Sequence, residues 1–399
     1  MGFLSNKSVN YLNLHNGCIE LMTQVVFLFG SLFLYQHGFT ISQVLFTLGG
    51  MSLGRIITRF LALPLIKHLG LRKTIAIGII GYGIAILMLS QVQGIDGWFI
   101  AYLGFYIFFN PIYWVCFHIY YTLVSEERHR GKQYAVRSAI ILSGQALFPL
   151  IGAAIIKWLG YSWYFAIAIP ITFAALFFLL LCPHAEVPRK SWTWTHRQLL
   201  SVGSRTSIFR SFYDLSCNTL WMFAMFQFFG GKMMEFGSVV TFGILIQILW
   251  QLAIGHRLDK GHADRIANIG GTLMLGTILS RVFMPLSLPV ILAMEIINAI
   301  ARLHISSVID IATYNDSHRA EHIVWYWVFT EMTRDIGSLT GTWTAALLLS
   351  IGFDPREAIL MALPALLMLW GILIHLASGR LPDIIHKLMP HVDLLPEQN

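Results

Sequence analysis

The chain has 399 residues, of which 56% are hydrophobic and only 12% charged, and its mean hydropathy is +0.66. Soluble domains carry about a quarter charged residues, and a soluble fold of this length has too little interior to hide so much apolar surface. That excludes an ordinary soluble protein and leaves the bilayer as solvent, where backbone groups must be satisfied inside helices or a closed barrel. The apolar runs are long and continuous, without the short alternation of barrel strands, so the expected class is an all-α polytopic membrane protein.

A spanning helix needs roughly 20 mostly apolar residues. By that rule about twelve helices are predicted, at 10–35, 41–65, 73–93, 97–123, 137–158, 161–182, 206–230, 235–254, 266–285, 288–312, 321–350 and 355–378. The polar segment 183–204 contains two prolines and breaks the series in the middle. It predicts an N-terminal bundle over 1–182, a cytoplasmic linker over 183–204, and a C-terminal bundle over 205–399 with a short tail.

In chain order, the first span carries Asn13, Asn16 and Glu20 on one helical stripe, with His15 beside it. Glu20 has no basic neighbour in sequence, and a lone carboxyl at that depth is suited to carry a proton. The fourth span offers Asn110, Tyr113, Phe117 and Tyr120, with His118 next to them; after it, "SEERHRGKQYAVRS" reads as a solvated turn from which Arg137 is a candidate to fold inward. The seventh holds Arg210, Asp214, Asn218 and Trp221, and the tenth Glu295, Asn298, Arg302 and Ser306, each set on one stripe. The eleventh contains "FTEMTRDIG", which puts Glu331, Arg334 and Asp335 at i, i+3, i+4 on one face near the middle of the span. Charges at membrane depth cost about 2.5–3.5 kcal/mol each on insertion scales and usually face a bundle interior or a wet cavity. Cys18, Cys116, Cys182 and Cys217 lie in apolar segments without metal-ligand spacing and read as structural thiols.

Lys and Arg cluster in alternate turns. Lys67, Arg72 and Lys73 follow the second span, Arg189, Lys190, Arg197 and Arg205 fall in and beside the linker, and Arg257, Lys260 and Arg265 follow the eighth span. The opposite turns hold little beyond Lys157, Lys232, Arg281 and Arg356. The positive-inside rule then places both termini in the cytoplasm. The net charge of +7 follows from this orientation and calls for no nucleic-acid partner.

Two turns carry a family resemblance. "GHRLDKGHADR" after the eighth span resembles the loop signature of the major facilitator superfamily, with Gly255, Asp259, Lys260 and Arg265 in the signature places. In "LPLIKHLGLRK" after the second span, Gly70, Arg72 and Lys73 fit, while Lys67 stands where the acid belongs and Leu63 where the first glycine belongs. In the fifth span Pro149 and Gly152 faintly resemble the antiporter pattern of that family.

The resemblance implies two pseudo-symmetric six-helix bundles, a central cavity walled by spans one, four, seven and ten, and alternating access. It makes Arg72, Lys73, Gly255, Asp259, Lys260 and Arg265 gating-loop candidates. The polar stripes make Glu20, Asn16, Tyr113, His118, Asp214, Asn218, Arg302, Glu331, Arg334 and Asp335 candidates for substrate binding and coupling. Arg302 is expected to pair with Asp335 or Glu331 until a substrate anion displaces the acid, with Glu20 as a second proton site.

The resulting expectation is a secondary transporter of a small polar or anionic organic solute in a bacterial inner membrane, a monomer without cofactor, coupled to protons with sodium as the alternative ion. An efflux pump for amphipathic compounds, and a non-transporting receptor or assembly factor on the same scaffold, are the competing readings. A membrane enzyme is disfavoured, because the chain lacks a His-rich metal cluster, a nucleophile elbow and a Walker loop.

Overall fold

The structure, a computed structural model, describes residues 7–125, 130–194, 196–258 and 263–377. Among the described residues there are twelve long helical stretches and no strand. They are α1 (Val9–Gln36), α2 (Ile41–Leu69), α3 (Leu71–Leu89), α4 (Gly97–Val124), α5 (Val136–Leu159), α6 (Tyr161–Leu180), α7 (Val202–Phe228), α8 (Met233–Leu258), α9 (Ala263–Phe283), α10 (Leu288–Arg319), α11 (Ile323–Ser350) and α12 (Pro355–Leu376). Ten of these pass a length-and-hydropathy test for crossing a membrane. The other two, α7 and α11, are as long, at 27 and 28 residues, but carry Arg210 and Asp214, and Glu331, Arg334 and Asp335.

The chain runs up and down, so one end of the bundle holds the start of α1 and the 180–202 connection. This is called the near end here, and the opposite end the far end. The connection 183–201 is partly ordered by two 3₁₀ turns, Arg189–Trp192 and His196–Leu200. It lies against the start of α11, where Trp325 Nε1 donates to the Trp192 carbonyl (2.9 Å). The tenth helix outruns its expected end at 312 by about two turns, because its polar end is used: the Asp316 carboxylate caps α7 by accepting from Val202 N–H (2.9 Å).

Several helices are locally irregular, and the irregularities have causes. In α1 a π-helical stretch, Val25–Gly30, follows Gln24 and shifts the register beyond Glu20. In α5 the helix is interrupted after Gln145 and resumes at Phe148, with Pro149 in the new first turn. The Leu150 N–H at this restart donates to Thr241 Oγ1 of α8 (3.1 Å). In α4, Pro111 lies inside the helix and cannot donate to the Ile107 carbonyl. The Thr58 hydroxyl of α2 fills that vacancy (2.6 Å), which ties α2 to α4 at mid-depth.

Within the last six helices α7 and α11 pack backbone to side. A Cβ on Gly337 or Gly341 would stand 2.0 and 2.7 Å from the Ile208 and Phe212 carbonyl oxygens, so only glycine permits this approach. Between the first six helices and the last six, the far ends of α2 and α11 are joined by Ser42 Oγ donating to the Ala346 carbonyl (2.9 Å) and Trp343 Nε1 donating to the Phe46 carbonyl (3.2 Å). At the near end α4 meets α10 and α11: Ser125 Oγ lies 2.9 Å from His318 Nε2, and Trp327 Nε1 donates to Thr122 Oγ1 (2.9 Å).

Candidate functional site

Between these two contact layers lies a chamber of two adjoining lobes, of about 320 and 260 Å3. Glu20, Arg137, Arg210, Asp214 and Asp310 line both lobes. Together the lobes are walled by six arginines (55, 59, 137, 210, 302, 334) and five carboxylates (20, 214, 310, 331, 335).

The larger lobe is organised around Asp335. On α2, Arg55 and Arg59 are four residues apart and share one face; on α11, Glu331 and Asp335 do the same. The two faces oppose each other across the chamber. Arg55 donates from Nε (2.8 Å) and Nη2 (2.6 Å) to Asp335 Oδ1, and Arg59 Nη2 donates to Oδ2. Arg59 Nη1 also reaches Glu331 Oε2 (3.4 Å), whose other oxygen lies 2.6 Å from Arg334 Nη1. Arg55, Arg59, Glu331 and Asp335 are all buried. Each oxygen of Asp335 thus meets a guanidinium from the other half of the molecule. Ser52 Oγ (3.0 Å) and Tyr106 Oη (3.4 Å) accept further bonds from Arg55.

One layer nearer the near end, His118 of α4 stacks on Trp327 with ring centroids 4.4 Å apart and 12° between planes. Its Nε2 faces Glu331 Oε1 at 3.5 Å, and its Nδ1 lies 2.8 Å from Tyr314 Oη. Arg137 donates to that same tyrosine oxygen (3.0 Å) and to Asn16 Oδ1 (2.7 Å). Since an arginine only donates, the tyrosine proton is available to His118 Nδ1, which leaves the ring proton on Nε2, 3.5 Å from Glu331 Oε1. This chain of contacts links α1, α5, α10, α4 and α11.

The smaller lobe lies between α1, α5, α7 and α10. Arg210 pairs with Asp310 (2.7 Å) and Asp214 (3.5 Å), and Asn218 donates to Asp214 (3.3 Å). Arg302 and Glu20 also line this lobe.

The structure therefore brings Glu20, His118, Asp214, Arg302, Glu331, Arg334 and Asp335 to one chamber. Two other candidates sit behind its wall. Asn16 is buried and holds Arg137, while Tyr113 is buried against α3, stacked on Phe117 (5.7 Å), and lines neither lobe. Asn218 lines neither lobe and is held between Asp214 and Arg281, accepting from Arg281 Nη1 (3.3 Å). One pairing is corrected: Asp335 and Glu331 do not meet Arg302, which lines the other lobe; their partners are Arg55, Arg59 and Arg334. The α10 stripe also divides, since Glu295 turns away to Arg281 of α9 (3.3 Å) and to Trp221 Nε1 of α7 (2.8 Å).

Of the gating-loop candidates, Arg72 Nη1 donates to the Cys182 carbonyl at the end of α6 (3.1 Å), Lys73 and Arg265 are exposed, and Gly255 lies in α8. Asp259 and Lys260 lie outside the described residues.

Sequence reasoning missed Arg55, Arg59 and Asp310. The signal for the arginine pair was present: two arginines four apart inside the apolar run "LGRIITRFLAL" are as costly at depth as the charges of the eleventh span.

The family model of the major facilitator superfamily matches residues 16–341. No curated protein matches the sequence. Among solved structures, the human organic anion transporter MFSD10 (TETRAN) superposes with a TM-score of 0.69 at 13% identity, covering 92% of this chain and 99% of that one. An auto-inhibited peptide transporter of the POT family superposes with a TM-score of 0.67 at 12% identity, covering 98% of this chain and 99% of that one. At such identities the likeness is one of fold.

Proposed function

The chain belongs to the major facilitator superfamily, a family of secondary transporters, and from that premise we propose that it moves a small polar or anionic organic solute by alternating access coupled to protons. The observation that carries this reading is Asp335 held by Arg55 and Arg59 across the two halves. A guanidinium pair is a fitting receptor for a carboxylate or similar anion, because its planar forks donate in parallel. A substrate anion that enters the larger lobe competes with Asp335 and Glu331 for these forks. A buried carboxylate deprived of its counter-charge favours the neutral form, so the displaced acid takes a proton. Binding, protonation and release of the α2–α11 attachment become one event, which is the coupling a symporter requires.

Three parts of the reading rest on other features. Alternation is supported by the contact layers at both ends of the chamber, either of which can part while the other holds. The near end is assigned to the cytoplasm from the Lys and Arg bias of its turns, with division of the chain at 183–204 and a bacterial inner membrane as the setting. A cysteine at the exposed Lys190, in a cysteine-free background, is expected to react with an impermeant maleimide only from the cytoplasmic side. The protein is proposed to work as a monomer.

The test starts from a thermal-shift screen of purified protein against small carboxylates, since a ligand of the native state raises Tm. Uptake of the best binder is then measured in proteoliposomes under imposed pH or sodium gradients. Accumulation that follows the pH gradient in wild type and is lost in Asp335→Asn is the expected result. Accumulation in Asp335→Asn equal to wild type contradicts the coupling role. The aromatic wall of Trp114, Trp327, Tyr106 and Phe27 favours a second reading, efflux of amphipathic compounds; binding of hydrophobic cations in preference to carboxylates would select it.

A further inference from the structure

Of the eleven charged side chains around the chamber, nine make a hydrogen bond or ion pair with a described residue. The two that make neither are Glu20 and Arg302, and both line the smaller lobe. Glu20 lies in the middle of α1 and Arg302 in the middle of α10, so they come from different halves. Glu20 is half-buried and Arg302 exposed, so one group of each sign is open to a ligand in the same compartment, and an ionised group at membrane depth is costly unless paired or wet. The other four charged residues of the wall are engaged, Arg210 with Asp214 and Asp310 and Arg137 with Asn16 and Tyr314; the remainder is neutral, with Gln24, Gln145, Gln247, Ser138 and Ser306 offering hydrogen bonds and Ile141 and Leu303 apolar surface. Gln145 is the last residue before the break in α5, the kind of discontinuous helix on which transporters build binding sites.

We propose that the smaller lobe is a zwitterion site, in which Glu20 receives the protonated amine and Arg302 the carboxylate of a small amino-acid-like solute. This rests on the transporter reading but moves the substrate carboxylate from the Arg55–Arg59 forks of the larger lobe to Arg302 of the smaller one, and it gives Glu20 to the substrate in place of the proton role suggested by its isolation in sequence. A plain anion would satisfy Arg302 but be repelled by Glu20. A plain amine would do the reverse. A ligand with one charge of each sign neutralises both poles without changing the net charge of the chamber. The lobe of about 260 Å3 falls below the range of about 300–1,000 Å3 usual for drug-sized ligands, which suits a metabolite-sized molecule. A ligand held at both poles also bridges α1 and α10, and so favours closure of the two halves around it.

The experiment is a thermal-shift series on the full purified chain. The probes are the common α-amino acids and the ω-amino acids from glycine to 6-aminohexanoate, each with its N-acetyl derivative, which lacks the ammonium, and its methyl ester, which lacks the carboxylate. At least one free amino acid is expected to raise Tm by several degrees at millimolar concentration, and its two blocked derivatives are not. In Glu20→Gln the N-acetyl derivative should become as effective as the free amino acid; in Arg302→Gln the methyl ester should. The wild-type comparison alone keeps the proposal open to refutation if a variant folds poorly: an N-acetyl derivative that stabilises wild type as strongly as its parent overturns it, and so does a series in which no amino acid shifts Tm. A zwitterion that binds with both charge dependences but is not exchanged across proteoliposome membranes overturns the transport reading and leaves the site standing. A simple monocarboxylate accumulated along a pH gradient, with no amino acid bound, leaves transport standing and overturns the site.

Discussion

Among the described residues two buried arginine–carboxylate clusters stand out, and they differ in what they connect. Arg281 and Glu295 (3.3 Å) join α9 to α10, with Trp221 of α7 donating to the same carboxylate and lying under the guanidinium at 4.9 Å. Arg356, at the start of α12, donates to the Arg281 carbonyl (2.8 Å). Every partner in this set lies in the last six helices. Arg55 and Arg59 meet Asp335 and Glu331 across the interface between the first six and the last six. Both clusters cost desolvation, and a buried pair is weak evidence of stabilisation in itself. The difference teaches that depth alone does not mark a functional charge. On the alternating-access reading proposed above, a cluster inside one half fixes helix positions, whereas a cluster between halves breaks whenever the halves move, so that its free energy enters the transport cycle.

Substitutions break or sharpen this contrast. The largest effect is expected from Asp335→Asn. Removing one partner from a buried pair costs about 3–5 kcal/mol, and if that difference falls on the switch between states, pH-driven uptake drops by more than about 100-fold. Arg55→Met added to Asp335→Leu should restore Tm without restoring uptake, because the apolar pair packs but does not switch. Second comes Arg281→Met, which strands Glu295 and is expected to lose about 3–5 kcal/mol of stability, read as a lower Tm in detergent, while uptake per folded molecule stays near wild type. Arg281→Met with Glu295→Leu should regain most of the Tm; normal Tm with lost uptake would instead move this cluster into the transport machinery. Third, Gly337→Ala pushes a methyl to 2.0 Å from the Ile208 carbonyl oxygen and should cost about 1–3 kcal/mol by overpacking, again read as Tm. The smallest effect is Thr58→Val, which frees the Ile107 carbonyl that Pro111 leaves open; buried hydrogen bonds in membranes are worth about 0.6 kcal/mol on average, so Tm should fall by only a degree or two.

The scaffold was legible because span length and loop charge are local properties. Even α7 and α11, too polar for a hydropathy test, were found by the length of their apolar runs, and the alternation of basic turns is consistent with that count. The depth of Glu331 and Asp335 was legible for the same reason. Their partners were not. Which arginine meets Asp335 depends on how α2 packs on α11, and a stripe on one helix carries no record of its neighbour. Arg302 was the nearer guess in sequence, while Arg55 and Arg59 sit 280 and 276 positions away. The tenth-span stripe shows a further limit: Glu295 and Arg302 are seven residues apart, yet one turns to Arg281 and the other to the smaller lobe. A shared face over several turns diverges once each turn meets a different helix.

The central claim, that the α2–α11 cluster governs how the two halves sit, is tested most directly by distance measurement between spin labels in the absence of any substrate. Labels at Thr47 and Leu347 report the far ends of α2 and α11, and labels at Leu61 and Glu321 report the near ends. In Asp335→Asn at least one of the two distance distributions should gain a longer component that wild type lacks, while Glu295→Gln should leave both as they are in wild type. Distributions in Asp335→Asn that coincide with wild type at both ends would contradict the account.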